Sequence, residues 1–319
     1  MFKKLGIFIL SLIFICITLS GCQSLVDDKK MSVSKKHTVT DSAGNKVTLP
    51  VKPQRIVSLT LGTDEILMDI VAPERIAALT YLSDDSGISH ISERSIQVKN
   101  KIKGNSAEAI LALKPDLVLI ADWWGLNILD TLREMGINVY VYKTPTTVKE
   151  IKQTICELAN VVDERVAGGK IVAKMEKELA FVQARVGNMP AEECISVMAL
   201  SYMGPFGARG TTFADICNYA NVRNVVAEYD LPPNATFSEE TLIRLNPDLL
   251  VIPSWKYDNE QDPSKMREEI LQNRAYQSVN AVKNKRVVQL RDTYLYSTTH
   301  YIVYAIRDLA EAAYPERFK

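Results

Sequence analysis

Residues 108–120 read EAILALKPDLVLI and residues 240–252 read ETLIRLNPDLLVI, one pattern repeated at an offset of 132 residues. Each copy opens on a glutamate, carries apolar residues at helical spacing, meets Pro-Asp and ends in an unbroken apolar run. Pro115 and Pro247 disfavour helical backbone in the residue before them, so each helix stops there. The run that follows does not alternate, which fits a strand buried on both faces of a parallel sheet. Two copies of such a unit predict an α/β protein with two Rossmann-like lobes of similar design.

The flanking sequence extends both lobes. Residues 37–49 alternate around Ser42, Ala43, Gly44 and Asn45, which predicts a β-hairpin. Strands are expected at 56–59, 75–80, 116–121 and 138–142, with helices at 63–71, 106–113 and 126–135. The second lobe shows strand patterns at 195–201, 248–253 and 287–290. Its helices are expected near 212–220, 238–245, 264–272 and 298–313.

Between the lobes, Ile151, Ile155, Leu158, Val162, Val166, Ile171, Met175, Leu179 and Val182 keep close to helical spacing. Asp163 as an N-cap predicts a helix over 163–186, about 36 Å at ~1.5 Å per residue and long enough to be a stiff strut. Gly168 and Gly169 depart from this pattern. The expected divisions are an N-terminal lobe at 37–146, a helical strut at 147–187 and a C-terminal lobe at 188–319.

The chain has 319 residues, 38 basic and 38 acidic, with 47% hydrophobic residues. That composition excludes collagen, coiled coil and disorder, and the absence of a basic tract argues against nucleic acid. Residues 1–22, MFKKLGIFILSLIFICITLSGC, combine Lys3 and Lys4 with an apolar core at 5–19. This is a secretory signal shape, short for a membrane span. Its end, Leu19-Ser20-Gly21-Cys22, resembles the bacterial lipobox, whose Cys carries lipid in the mature protein. An uncleaved anchor is the alternative. Cleavage removes Lys3 and Lys4, leaving 36 basic against 38 acidic residues. Residues 23–36 read as a polar tether. No later segment approaches the ~18 consecutive apolar residues of a membrane span, which excludes a multi-span permease. The expectation is a monomeric, extracytoplasmic protein held to the cell membrane by lipid on Cys22. Cys156, Cys194 and Cys217 remain, all in apolar-periodic stretches, so buried thiols are expected. One disulfide, Cys194 with Cys217, is the alternative.

The lipobox, the hairpin, PQRIVSLTLGTDEIL at 53–67, ALKPDLVLIA at 112–121, the strut and the second PDLLVI lobe are together similar to the periplasmic-type binding proteins of iron-siderophore, haem and cobalamin importers. The resemblance spans about residues 38–315. It implies a two-lobed receptor with a rigid inter-lobe helix and a ligand cleft between the lobes. Such a receptor delivers a metal chelate to an ABC permease driven by ATPase subunits. It also implies that Glu108 and Glu240, the matched glutamates, dock on permease arginines. The rival explanation for Glu108 is a capping box with Asn105, but Phe237 stands at the equivalent place in the second copy.

Ligands of open α/β sheets bind beyond the carboxyl ends of the strands. The residues there are Tyr81, Trp123, Trp124, Tyr202, Phe206, Arg209, Trp255, Arg291, Tyr294 and Tyr296. Trp123 maps onto Trp255 at the same offset of 132, so two of the 3 Trp share one repeat position. Facing indoles make an apolar cleft for a large iron or cobalt chelate. Arg209 and Arg291 match an anionic ligand group. His300 with Tyr301 would ligate iron only if the ligand were haem. With just His37, His90 and His300, no resident metal site or cofactor is expected. No HExxH, GxSxG, P-loop or CxxC occurs. The neighbouring Glu239 and Glu240 point ~100° apart on a helix, so no catalytic residue and no enzyme is expected. The rival function is a lipid-anchored module that binds a protein or surface without a solute cleft.

Overall fold

The computed structural model describes residues 36–123, 128–202, 204–229, 239–256 and 262–319. The lipobox with Cys22, the tether up to residue 35, and Trp124 and Phe237 lie outside the described residues.

The hairpin is present: β1 (Lys36–Thr40) pairs antiparallel with β2 (Lys46–Pro50), Lys36 opposite Pro50. The first lobe is a sheet of β3 (Ile56–Ser58), β4 (Ile76–Thr80), β5 (Lys101–Ile102), β6 (Leu117–Ala121) and β7 (Val139–Tyr142). Its order is β5-β4-β3-β6-β7 and every pairing is parallel. The second contains β8 (Ser196–Ser201), β9 (Gly204–Phe206), β10 (Arg223–Asn224), β11 (Leu249–Ile252) and β12 (Val287–Gln289). Here β10-β8-β11-β12 run parallel, with β9 antiparallel on β8. The short strands β5, β9 and β10 carry too few residues for a periodic signal, and the sequence did not announce them.

The repeat has a physical basis in both lobes. Lys114 (φ 48°) and Asn246 (φ 42°) stand just before the two prolines and end the helices Ala107–Ala112 and Glu239–Leu245 in left-handed backbone. The aspartate after each proline then ties down the neighbouring strand. Asp116 accepts from the Gln54 and Arg55 N–H groups at 2.7 and 2.9 Å, at the entry to β3. Asp248 accepts from the Ser196 N–H at 3.1 Å and its hydroxyl at 2.7 Å, at the entry to β8. All residues of β6 and β11 are buried, as their unbroken apolar runs imply.

Two helices, Val148–Val161 and Arg165–Val186, connect the lobes. The longer has 22 residues and spans about 33 Å at ~1.5 Å per residue. Asp163 does not cap it: Asp163 lies at φ 59° in the turn, and Glu164 precedes the first helical residue without a side-chain cap. The correction has a steric cause, because the chain must reverse between two helices within three residues. Gly168 serves this junction. A Cβ there would meet the Ala159 Cβ at 2.5 Å, so the missing side chain lets the two helices touch. One apolar cluster runs from Leu67 and Ile70 through Met175 and Leu179 to Phe213 and Leu309, joining both lobes through the long helix. Separate clusters cover the other sheet faces.

The thiols of Cys156, Cys194 and Cys217 are all free, so Cys194 and Cys217 do not pair. Cys217 is buried, but Cys194 is half-buried and Cys156 exposed, which corrects the expectation of three buried thiols. Cys194 sits outside the helix that carries Cys217 and turns its sulfur to the Asn221 side chain. No described helix is long and apolar enough to cross a membrane.

Candidate functional site

A cavity of about 400 Å³ lies where the carboxyl ends of both sheets converge. The first lobe contributes Leu59 to Gly62 after β3, Thr80 to Leu82 after β4, Trp123 after β6, and Tyr142, Thr144 and Pro145 after β7. The second contributes Trp255 after β11 and Asp292, Thr293, Tyr296, Ser297 and Thr298 after β12. Parallel strands bring their carboxyl ends to one edge, so residues far apart in sequence meet there.

Of the aromatic residues expected at the cleft, Tyr81, Trp123, Trp255 and Tyr296 line it. Trp123 is 65% exposed, whereas Trp255 is held in place. Its N–H donates to Asp292 Oδ2 at 2.7 Å and its carbonyl accepts from the Tyr202 hydroxyl at 2.9 Å. Its indole lies over Gly87 of the opposite lobe, where a Cβ would come within 1.7 Å of the ring. The repeat thus puts a Trp from each lobe on the cavity, but only the second is clamped across it.

Phe206 and Tyr294 are outside the lining. Phe206 packs between Phe213 and Tyr296 with tilted rings, centroids 4.9 and 5.2 Å away. Tyr294 packs on His90 at 4.0 Å. Neither arginine is part of the lining. Arg291 donates to both Asp308 oxygens, at 3.0 and 2.8 Å, and lies 4.2 Å over the Tyr294 ring. Arg209 donates to the Ala227 carbonyl at 2.8 Å. The expectation that these arginines face an anionic ligand is therefore corrected: Asp308, on the last helix, captures Arg291. Glu108 and Glu240 are both exposed in the first turns of their helices. Ser106, not Asn105, caps the first of these, accepting from the Ala109 N–H at 3.2 Å and donating to Glu108 at 2.9 Å. Hydrogen bonding from its own backbone N–H, and then from that hydroxyl, holds the Glu108 pKa below its ordinary value.

A polar seam joins the lobes beside the cavity, and its Glu65 and Thr80 reach the lining. The end of β3 leads into helix Leu61–Ile70, in which Asp64 and Glu65 are buried. Glu65 accepts from the His90 N–H at 3.1 Å and from the Thr299 hydroxyl of the other lobe at 2.8 Å. Burial pushes Glu65 up to about 7 against those hydrogen bonds. Burial likewise lifts Asp64 to about 8 against hydrogen bonds from Ser58 and Thr80. His90 is sandwiched between Tyr294 and Tyr301, and burial, with the charges of Arg291 and His300, lowers it to about 4. His300 is bound to Asp69 at 2.8 Å rather than turned to the cavity. Burial favours a neutral Asp69, but hydrogen bonds from His300, Arg94 and Tyr301 outweigh it and keep the carboxylate ionised. Applying the strand-end rule to β3 as well would have found the Leu59–Glu65 stretch. Among the described residues, no group of three or more His, Cys, Asp or Glu side chains is arranged to hold a metal ion.

The family described as periplasmic binding protein matches residues 56–294. The uncharacterized ABC transporter substrate-binding lipoprotein YvrC of Bacillus subtilis is 22% identical, with 99% of each chain covered. The probable siderophore-binding lipoprotein YfiY of the same organism is 23% identical over 86% of each. Among solved structures, the molybdate-bound periplasmic binding protein MolA of Haemophilus influenzae superposes with a TM-score of 0.72 at 20% identity. That match covers 88% of this chain and 92% of MolA.

Proposed function

The chain belongs to the periplasmic binding protein family, and from that premise we propose that it is the receptor of an ABC importer for a large metal chelate. The ligand class is a ferric siderophore or cobalamin, with haem as a third member. The chelate enters the inter-lobe cleft and passes to a permease driven by ATPase subunits. As a family member the chain is a solute-binding protein and not an enzyme. Lipid on Cys22 would hold it, as a monomer, at the outer face of the cell membrane. The named lipoprotein relatives support that anchor.

The observation that carries the reading is the apolar cavity between the lobes, lined by Trp123 from one and Trp255 from the other. Its ≈ 400 Å³ falls within the ~300–1,000 Å³ of small-molecule sites. A chelate larger than this would extend past the exposed Trp123. Aromatic walls suit a bulky, polarizable ligand better than a bare ion. Glu108 and Glu240, one per lobe and both in solvent, offer a two-point electrostatic grip for the permease.

The test follows Trp fluorescence of the full chain, purified in detergent, during titration with cyanocobalamin, haemin and ferric siderophores. One chelate is expected to quench saturably, and Trp123→Ala and Trp255→Ala each weaken the response. A folded chain that responds to none refutes the reading and favours a lipid-anchored module for a protein or surface partner.

A further inference from the structure

We infer that the cleft selects by charge: it takes an electroneutral or cationic ligand that carries hydrogen-bond donors, with Asp292 as the acceptor that reads a donor and Glu65 as a second negative charge. The inference rests on the solute-receptor reading and narrows its ligand class.

Among the described residues, the lining contains two carboxyl groups, Glu65 from one lobe and Asp292 from the other, and no Lys or Arg. The cations expected at the strand ends are engaged elsewhere. Arg291 is paired with Asp308, Arg209 donates to the Ala227 carbonyl, and Lys143 pairs with Glu150 at 3.1 Å. Lys103 and Lys256 are exposed and outside the lining.

Asp292 is 4% exposed. Its Oδ2 accepts from the Ser254 and Trp255 N–H groups at 3.0 and 2.7 Å, while its Oδ1 has no hydrogen-bond partner. A buried carboxylate oxygen without a donor is costly, and a donor on a bound ligand removes that cost. Glu65 differs, because both of its oxygens are already engaged, by His90 and Thr299. It contributes charge rather than a free acceptor. The N-terminus of helix Leu61–Ile70 also opens on the cleft, and such an end attracts anions. Glu65, near the start of that helix, supplies negative charge there at pH 8, above the value of about 7 to which burial lifts it, while Asp64, lifted to about 8, adds only part of a charge. An entering anion would meet two carboxyl groups in a poorly solvated space, and like charges so placed are strongly disfavoured. The rings of Trp123, Tyr296 and Trp255 attract cations through their quadrupoles, whereas that of Tyr81 is already met by the Lys103 ammonium, 5.5 Å from its centroid.

The experiment measures affinities of the full chain at pH 8 for two charge series built on fixed frames. One is ferrioxamine B with a free amine (cationic), N-acetylated (neutral) and N-succinylated (anionic). The other is cyanocobalamin against its monocarboxylic acids, in which one corrin amide becomes a carboxylate. Molybdate is the small anion. In the series that binds, the anionic member is expected to bind at least ~10-fold more weakly than its neutral or cationic counterpart, a factor equal to ~1.4 kcal/mol. Asp292→Asn and Glu65→Gln each narrow that ratio, and circular dichroism reports that both variants are folded. An anionic member, molybdate or haemin (anionic through its two propionates) bound as tightly as the neutral or cationic member, or bound when none of those binds, overturns the inference and leaves the receptor reading standing. A folded chain that binds nothing in either series, and no haemin or molybdate, overturns the receptor reading and this inference with it.

Discussion

Glu65→Gln should make the protein more stable, and only at high pH. The Glu65 carboxyl is buried at the seam between the lobes, and burial moves its pKa from 4.5 to about 7. The distance between 4.5 and about 7 corresponds to roughly 3 kcal/mol. Because the folded-state pKa lies above the unfolded one, the folded state holds this proton more tightly. The associated stability is fully present below pH 4.5, and is lost as pH rises through about 7. Glutamine cannot ionise and keeps the same shape, so it escapes that loss. Its carbonyl accepts from the His90 N–H, and its amide donates to the Thr299 hydroxyl, which then donates to Ser297, 2.8 Å away. The variant should therefore match the parent near pH 4.5 and exceed it by up to ~3 kcal/mol at pH 8.5. At ~2–4 °C per kcal/mol that is a rise in Tm of ~6–12 °C. Asp64 and His90 also titrate in this range, but both are present in parent and variant and largely cancel in the difference. Thermal melts of the two proteins by circular dichroism at pH 4.5 and pH 8.5 provide the assay. An equal Tm difference at both pH values, or a less stable variant at pH 8.5, refutes the reasoning.

Gly168→Ala places a Cβ 2.5 Å from that of Ala159 and should cost ~1–3 kcal/mol by overpacking the two connecting helices. Denaturant melts check it, and adding Ala159→Gly should restore most of the loss. Arg291→Gln removes an ion pair whose arginine side chain is 59% exposed, so stability should fall by less than ~1 kcal/mol. Fluorescence titration should find its chelate affinity unchanged, whereas Trp255→Ala weakens binding.

The two-lobed α/β architecture was legible because its signal is local and doubled. Pro115 and Pro247 disfavour helix in the residue before them, and the apolar runs after them are too short for a helix and fit a buried strand. The structure added what the pattern does for the fold: Asp116 and Asp248 grip the strands beside them through backbone N–H groups 61 and 52 residues away. The Trp pair was legible for the same reason, since an offset of 132 is a count along the chain. The two arginines were misplaced because a strand-end rule says which residues come near the cleft, and not which partner reaches them first. Asp308 reaches Arg291 from the last helix, and sequence spacing contains no trace of it.

By itself, then, the sequence determined the longer elements, the parallel pairing of the central strands and the strand ends near which a ligand is expected, because these follow from periodicity, proline sterics and chain direction. Tertiary structure alone decided the electrostatics of the cleft. Whether a charged side chain faces a ligand, a salt-bridge partner or the opposite lobe depends on distances of a few ångströms between segments far apart in the chain. Glu65 against Thr299, 234 residues on, is the case in point.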